Sequence, residues 1–294
     1  SLVTDPLSQL RIIPNLSQQT LQNIIESKHL DDPLMIQYVE WIKDVFTDKF
    51  GTTMLSEKPI WPDLRRAFGH TAQLVIVSET IAITLAVILG VLSAKKQYSL
   101  FDYTTTTISF LGFSVPIFWF ALILQTIATS IYLWTDVRVF YTFGLSSPDP
   151  SNFLLDRLQH MILPVLALSY VSIAQYSRYM RSSMLEVLHS DYVRTARAKG
   201  LRERTVTMKH ALRNALIPLV TVAAINLGSL MGGVVITETI FAWPGMGKLF
   251  IDSLIRGELY TLMAWLLVTS VLLILFNLLA DIIYGVLDPR IRYD

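Results

Sequence analysis

The chain has 294 residues, of which 52% are hydrophobic and only 16% are charged, and its formal net charge is +1. A soluble domain carries about 25% charged residues, so this composition indicates a membrane protein and excludes intrinsic disorder, which needs low hydrophobicity and high net charge. The near-neutral total argues against a nucleic-acid partner, and the lack of cysteine excludes disulfides, thiolate metal sites and cysteine catalysis.

The first 70 residues are polar, with seven Lys or Arg and nine Asp or Glu residues. Between Leu34 and Phe46, apolar residues recur at steps of three and four, which indicates an amphipathic helix. We therefore predict that residues 1–70 form a small folded segment on the membrane surface.

Five later runs are long and apolar enough to cross the hydrocarbon layer, which needs about 20 helical residues. These runs are residues 71–94, 105–135, 158–176, 215–237 and 262–287. The alternative is that these runs are buried helices of a large soluble protein, but five such long apolar runs argue against it. The sequence therefore predicts an all-α integral membrane protein, a polytopic helix bundle with five spans.

Two of these runs contain an acidic residue, Glu79 in the first and Asp281 in the last. Intramembrane acids often indicate function. We give more weight to a structural interpretation, in which Glu79 lies near a helix end or pairs with a neighbouring chain and Asp281 lies close to the cytoplasmic face.

Residues 178–213 contain nine basic and three acidic residues, and the positive-inside rule places them in the cytoplasm. Alternation then places the C-terminus in the cytoplasm and the loops 136–157 and 240–261 outside. It also places Ser1 outside, which a polar segment of 70 residues reaches only behind a signal peptide or an earlier span. We therefore expect one more span before residue 1 and six in all.

The sequence contains no phosphate-binding loop and no nucleophile elbow, and its five histidines are scattered along the chain. We therefore expect a chain without catalytic residues, a metal site or a cofactor of its own.

Residues 191–200 have the pattern of a capped helix of about eight or nine residues. Asp191 is a residue type that caps helix starts, and Gly200 suits the left-handed position after a helix end. A second helix is predicted from about Arg204. The first helix carries small side chains, which would let another surface approach closely, and basic ones around that contact. The small residues are Thr195, Ala196 and Ala198, and the basic residues are Arg194, Arg197 and Lys199. The alternative is an ordinary basic loop that only satisfies the topology.

This segment resembles the signature loop of inner-membrane permease subunits of ABC importers, in the form typical of the oligopeptide/dipeptide permease branch. That form reads DY-x-RTARAKGL followed by RHALRNAL-x-P. In this sequence it is matched by Asp191, Tyr192, Arg194–Leu201 and His210–Pro218. Further segments that resemble the branch are Thr4–Pro6, Ser114–Pro116, Phe241–Gly247 and Asp288–Arg290.

The resemblance implies the bundle of a type I ABC importer permease, with an extracytoplasmic segment at 1–70, a transmembrane domain at 71–294 and a cytoplasmic coupling loop at 178–213. It implies that the chain forms half of a path for di- and oligopeptides in a bacterial inner membrane. The implied partners are a second homologous permease, two cytoplasmic ATPases that bind the ATP and magnesium, an external binding protein and membrane lipid.

The resemblance also implies a coupling helix that docks on an ATPase. Its residues would be Asp191, Tyr192, Arg194, Thr195, Ala196, Arg197, Ala198, Lys199 and Gly200. The glycines at 228, 232 and 233 would allow close packing, either at a moving interface or in a static one. Residues 1–70 and 241–247 would face the binding protein, although we interpret Phe241 and Trp243 individually as interfacial anchors.

Two other functions remain open from the sequence. A proton- or ion-coupled secondary carrier predicts essential intramembrane acids and inverted repeats. A membrane anchor or scaffold predicts no transport at all.

Overall fold

The computed structural model describes residues 18–27, 30–54 and 56–287, and this part of the chain is mostly helical. The helices in chain order are α1 Gln18–Ser27, α2 Leu34–Thr47, α3 Ile60–Lys95, α4 Leu100–Ser114, α5 Ile117–Thr135, α6 Phe153–Leu188, α7 Asp191–Ala198, α8 Glu203–Met231, α9 Val235–Ile240, α10 Met246–Arg256 and α11 Leu259–Leu287. Five of them, α3, α5, α6, α8 and α11, are long and apolar enough to cross a membrane, which confirms the predicted number. The segments Thr4–Pro6 and Asp288–Arg290 lie outside the described residues.

The centre of the bundle is the pair α3 and α6, each 36 residues long. Small residues of α3, Ala82 and Ala86, are fully buried beside Tyr176 and Met180 of α6. Helix α3 begins at Ile60, eleven residues before the predicted span, and its first turns are buried on one side only. The predicted division between residues 70 and 71 therefore falls inside this helix.

The predicted span 105–135 is wrong as a single helix. The structure divides it into α4, which ends at Ser114, and α5, which begins at Ile117. Proline lacks a backbone N–H and disfavours helical geometry in the residue before it. Accordingly, Val115 is extended, with φ −84° and ψ 121°, and Pro116 precedes the first turn of α5. The run is uniformly apolar, so hydropathy alone does not detect the break.

Helix α6 continues to Leu188, well beyond the predicted end at Tyr176. One of the charged residues in this extension is paired within the bundle. Arg181 donates from Nε and one terminal nitrogen to the two carboxylate oxygens of Asp102, at 2.6 and 2.7 Å. Asp102 is 2% exposed, and it lies in the first turn of α4. The segment 178–213 therefore contains the end of α6, the whole of α7 and the start of α8.

Replacing Asp102 with Asn should lower the free energy of unfolding by about 1–3 kcal/mol, because Arg181 loses its charged acceptor. Thermal unfolding of the purified transporter measures this. The control is Asp63→Asn, whose partner Arg66 is mostly exposed, and which should cost at most about 1 kcal/mol. Equal effects of the two variants contradict the prediction.

The predicted span 215–237 begins earlier and ends earlier than expected. Helix α8 runs from Glu203 to Met231, with a π-helical segment at Val206–Ala211. It stops before Gly233, whose φ of +121° only glycine adopts readily. Close packing of Gly228 is confirmed, since a Cβ there would lie 2.8 Å from Cβ of Phe276 in α11.

Candidate functional site

Helix α7 has the eight residues that the sequence predicts. Gly200 follows it with φ +73°, which confirms the predicted left-handed exit. The predicted cap is wrong, because Asp191 is already the first helical residue and Ser190 holds the cap position. The Asp191 carboxylate lies 3.6 Å from the Arg194 guanidinium instead.

The two faces of α7 have different surroundings. Val193 is fully buried and Ala196 is 5% exposed, and both join a core cluster with Met184, Val206 and Ala211. The expectation that Ala196 faces another protein is therefore corrected, since its methyl group packs inside this chain. The exposed residues are Asp191, Tyr192, Arg194, Thr195, Arg197, Ala198, Lys199 and Gly200.

Polar contacts fasten both sides of α7 to the long helices. Arg197 donates to the Glu203 carboxylate at the start of α8, at 3.0 and 3.2 Å, and to the carbonyl oxygen of Leu188 at the end of α6, at 3.4 Å. The Asn214 amide in α8 donates to the Tyr192 hydroxyl at 2.8 Å. With the buried face of α7, these contacts join three helices at one end of the bundle.

A polar network lies deep in the bundle around Glu79, which is 4% exposed. Its two carboxylate oxygens accept from the Ser172 and Tyr176 hydroxyls, both at 2.7 Å. Asn226 of α8 donates to the same Tyr176 oxygen at 3.1 Å and to Gln175 at 3.3 Å. The interpretation of Glu79 as a helix-end residue or a partner of a neighbouring chain is therefore wrong. It links α3, α6 and α8 of one chain, whereas Asp281 is exposed on α11.

The sequence did not single out Glu238, which is fully buried at the opposite end of the bundle from α7. Its carboxylate accepts from the Thr71 hydroxyl at 2.6 Å and from the Lys248 amide at 3.0 Å. Burial raises the pKa of Glu238, and these hydrogen bonds oppose that rise. The acid thereby ties α9 and the start of α10 to α3.

The prediction that Phe241 and Trp243 anchor the membrane interface is wrong. They are 1% and 0% exposed, because the α9–α10 connection folds onto α3. The Trp243 indole donates to the His70 carbonyl oxygen at 3.0 Å, and the Arg157 guanidinium lies 4.6 Å from its ring centre. In the described part of the chain, no group of three or more His, Asp or Glu residues is placed to hold a metal ion.

Comparison with known proteins identifies the family. Residues 86–293 match the model of the binding-protein-dependent transport system inner membrane component. The chain is 40% identical over 290 residues to the oligopeptide transport system permease protein AppB of Bacillus subtilis (strain 168), covering 98% of this chain and 90% of that protein. It is 36% identical over 300 residues to the di/tripeptide transport system permease protein DppB of Pseudomonas aeruginosa (strain UCBPP-PA14), covering 98% and 88%.

Solved structures agree on the fold. A chain of the MetNI methionine ABC transporter, in an inward-facing conformation, superposes with a TM-score of 0.60 at 18% identity, covering 76% of this chain and 96% of that chain. A chain of an amino acid ABC transporter superposes with a TM-score of 0.51 at 11% identity, covering 78% and 94%. These similarities confirm the predicted ABC importer bundle and do not favour a secondary carrier. The chain therefore belongs to the family of binding-protein-dependent transport system inner membrane components, as an integral inner-membrane permease of the ABC importer kind.

Proposed function

We propose that this chain is the permease subunit of an ATP-driven importer of di- and oligopeptides, and that it forms half of the path together with a second, homologous permease. The support for a peptide substrate comes from permeases that are similar to this chain over nearly its whole length. They are named for the transport of oligopeptides, dipeptides and tripeptides. The chain contributes no ATPase. Two cytoplasmic subunits bind ATP and magnesium, and an external binding protein delivers the peptide.

The observation that carries the proposal is the construction of α7. Its exposed face presents small and basic side chains, while its buried face is locked into the same chain by Val193 and Ala196. A helix built in this way can dock on a partner without being pulled out of the permease. We assign the exposed face of α7 as the coupling surface for an ATPase.

A movement of α7 would reach the other helices of the chain through two sets of contacts. The Arg197–Glu203 ion pair and the Tyr192–Asn214 hydrogen bond connect α7 to α8. The network around Glu79 connects α8 to α3 and α6. Closure of the ATPases around ATP would therefore shift α6 and α8 with α7 as a packed unit, which is how rigid elements transmit switching.

At the other end of the bundle, the binding protein would meet residues 1–70 and the neighbouring loops. Helix α2 presents an exposed apolar face there, with Leu34 81%, Met35 78% and Phe46 82% exposed. Under this assignment the coupling surface and the C-terminus are cytoplasmic, and α2 is extracytoplasmic.

The direct test is uptake of a labelled peptide by proteoliposomes that contain the two permeases and the two ATPases. We expect uptake to require internal ATP and the external binding protein, and to persist when ion gradients are collapsed. Uptake that needs an ion gradient and no ATP contradicts the proposal. A panel of dipeptides, longer peptides and metal chelates offered to the binding protein then identifies the solute class.

A further inference from the structure

A cavity of about 520 Å³ lies at the end of the bundle opposite α7, between the last turns of α5, the first turns of α6 and the connection between these helices. The α7 end is cytoplasmic in the proposed topology, so the cavity is on the outer side. Residues that define its walls include Tyr132, Arg138, Phe140, Tyr141, Ser147 and His160.

The walls are held in place by contacts between residues of this chain. The Tyr141 ring stacks on the buried His160 ring, with centres 4.0 Å apart, and His160 Nδ1 lies 2.8 Å from the Asp156 carbonyl oxygen. The Asp156 carboxylate accepts from the hydroxyl and amide of Ser147, at 2.6 and 2.9 Å. The connection between α5 and α6 is further pinned by Gln125, which donates to the Thr142 carbonyl oxygen at 2.7 Å.

Among the described residues that line the cavity, Arg138 carries a formal positive charge, and its side chain is exposed. The Arg138 guanidinium carbon lies 4.7 Å from the ring centre of Tyr132 and 5.7 Å from that of Tyr141. No acidic residue is among the described residues that line the cavity. The planar fork of a guanidinium is suited to carboxylate or phosphate oxygens.

The mouth of the cavity is apolar and continues into the outward face of α5. Leu133 is 75% exposed, Trp134 is 91% exposed and Phe143 is 71% exposed. Exposed tryptophan at the end of a span is typical of the depth of lipid headgroups. A soluble anion would gain nothing from this apolar rim, whereas a lipid would place its acyl chains on it.

We propose that this cavity binds the headgroup of an anionic phospholipid of the outer leaflet. The Arg138 guanidinium binds the phosphodiester, hydroxyl groups of the wall such as that of Ser146 are available for the polar headgroup, and the acyl chains lie against Leu133 and Trp134. The site serves the lipid and not the transported solute, so it does not depend on which peptide is carried.

The test uses the assembled transporter in phosphatidylcholine vesicles that contain increasing amounts of phosphatidylglycerol brominated on its acyl chains. Bromine quenches nearby tryptophan fluorescence. We expect brominated phosphatidylglycerol to quench more than equally brominated phosphatidylcholine, and this excess to disappear in Trp134→Phe. Arg138→Gln should raise the phosphatidylglycerol content needed for half-maximal excess quenching about fivefold or more.

The control variant is Arg256→Gln, which removes an exposed basic residue in the last turn of α10 and should leave the excess quenching unchanged. Thermal unfolding of each variant confirms that it is folded. Equal quenching by the two lipids, or an undiminished excess in Arg138→Gln, overturns the proposal. So does loss of the excess on adding millimolar inorganic phosphate, because the site would then bind a soluble anion. None of these readouts involves uptake, so they stand or fall separately from the transport function.

Discussion

Ala198→Glu is expected to abolish peptide uptake while leaving the permease folded. Ala198 is exposed at the end of α7, so the new side chain costs the permease little, in the range of ordinary surface substitutions of about 0.5 kcal/mol. At a docked interface the same carboxylate would be buried without a partner. An unpaired buried charge costs about 3–5 kcal/mol, which corresponds to a loss of affinity for the ATPase of more than about 100-fold.

The measurements are peptide uptake, ATP hydrolysis stimulated by the loaded binding protein, and co-purification of the ATPases. Ser151→Glu is the matched control, because it adds the same side chain at an exposed position on the opposite end of the bundle. Ala196→Glu is a poorer test, since Ala196 is buried in the permease core and the variant would lose stability directly. If Ala198→Glu transports peptide as well as Ser151→Glu does, the coupling surface is assigned incorrectly.

Gly233→Ala is expected to disrupt the end of the bundle that holds Glu238. A Cβ on Gly233 would collide with the backbone nitrogen of Gly247, and the residue has φ +121°. Backbone strain of about 1–3 kcal/mol and overpacking of about 1–3 kcal/mol add to about 2–6 kcal/mol. For a chain of this size we expect the Tm to fall by about 10 °C.

The neighbouring glycine provides the control for this prediction. Gly232 has helical geometry with φ −66°, and a Cβ there would meet the Thr269 side chain at an ordinary contact distance of 3.4 Å. Gly232→Ala should therefore change the free energy of unfolding by no more than about 1 kcal/mol. Differential scanning of the two variants in the same detergent compares them. A Tm for Gly233→Ala within a degree or two of that for Gly232→Ala rules out the close backbone contact.

The features predicted correctly from the sequence depend on local chemistry. Five apolar runs specify five membrane helices, and the glycine at 200 specifies where α7 ends. The break at Pro116 also has a local cause, but the average hydropathy of this uncharged run does not reveal it. The proline itself marks where the span divides.

The features that were missed depend on contacts between residues far apart in the chain. Glu79 finds its partners at Ser172 and Tyr176, more than 90 residues away, and nothing in the residues around Glu79 indicates them. Trp243 is a typical interfacial residue by type, yet the packing of its loop on α3 buries it. The burial of Ala196 has the same kind of cause. In a helix of eight residues, the helices packed around it decide which face is buried.

The length of α3 and α6 makes them levers as well as membrane spans. A helix of 36 residues is about 54 Å long, nearly twice the thickness of the hydrocarbon layer of about 30 Å. If such a helix tilts by about 10° around its midpoint, each end moves by about 5 Å, close to one helical turn. The overhang therefore amplifies a small angular change in the membrane into a displacement large enough to repack side chains at both surfaces.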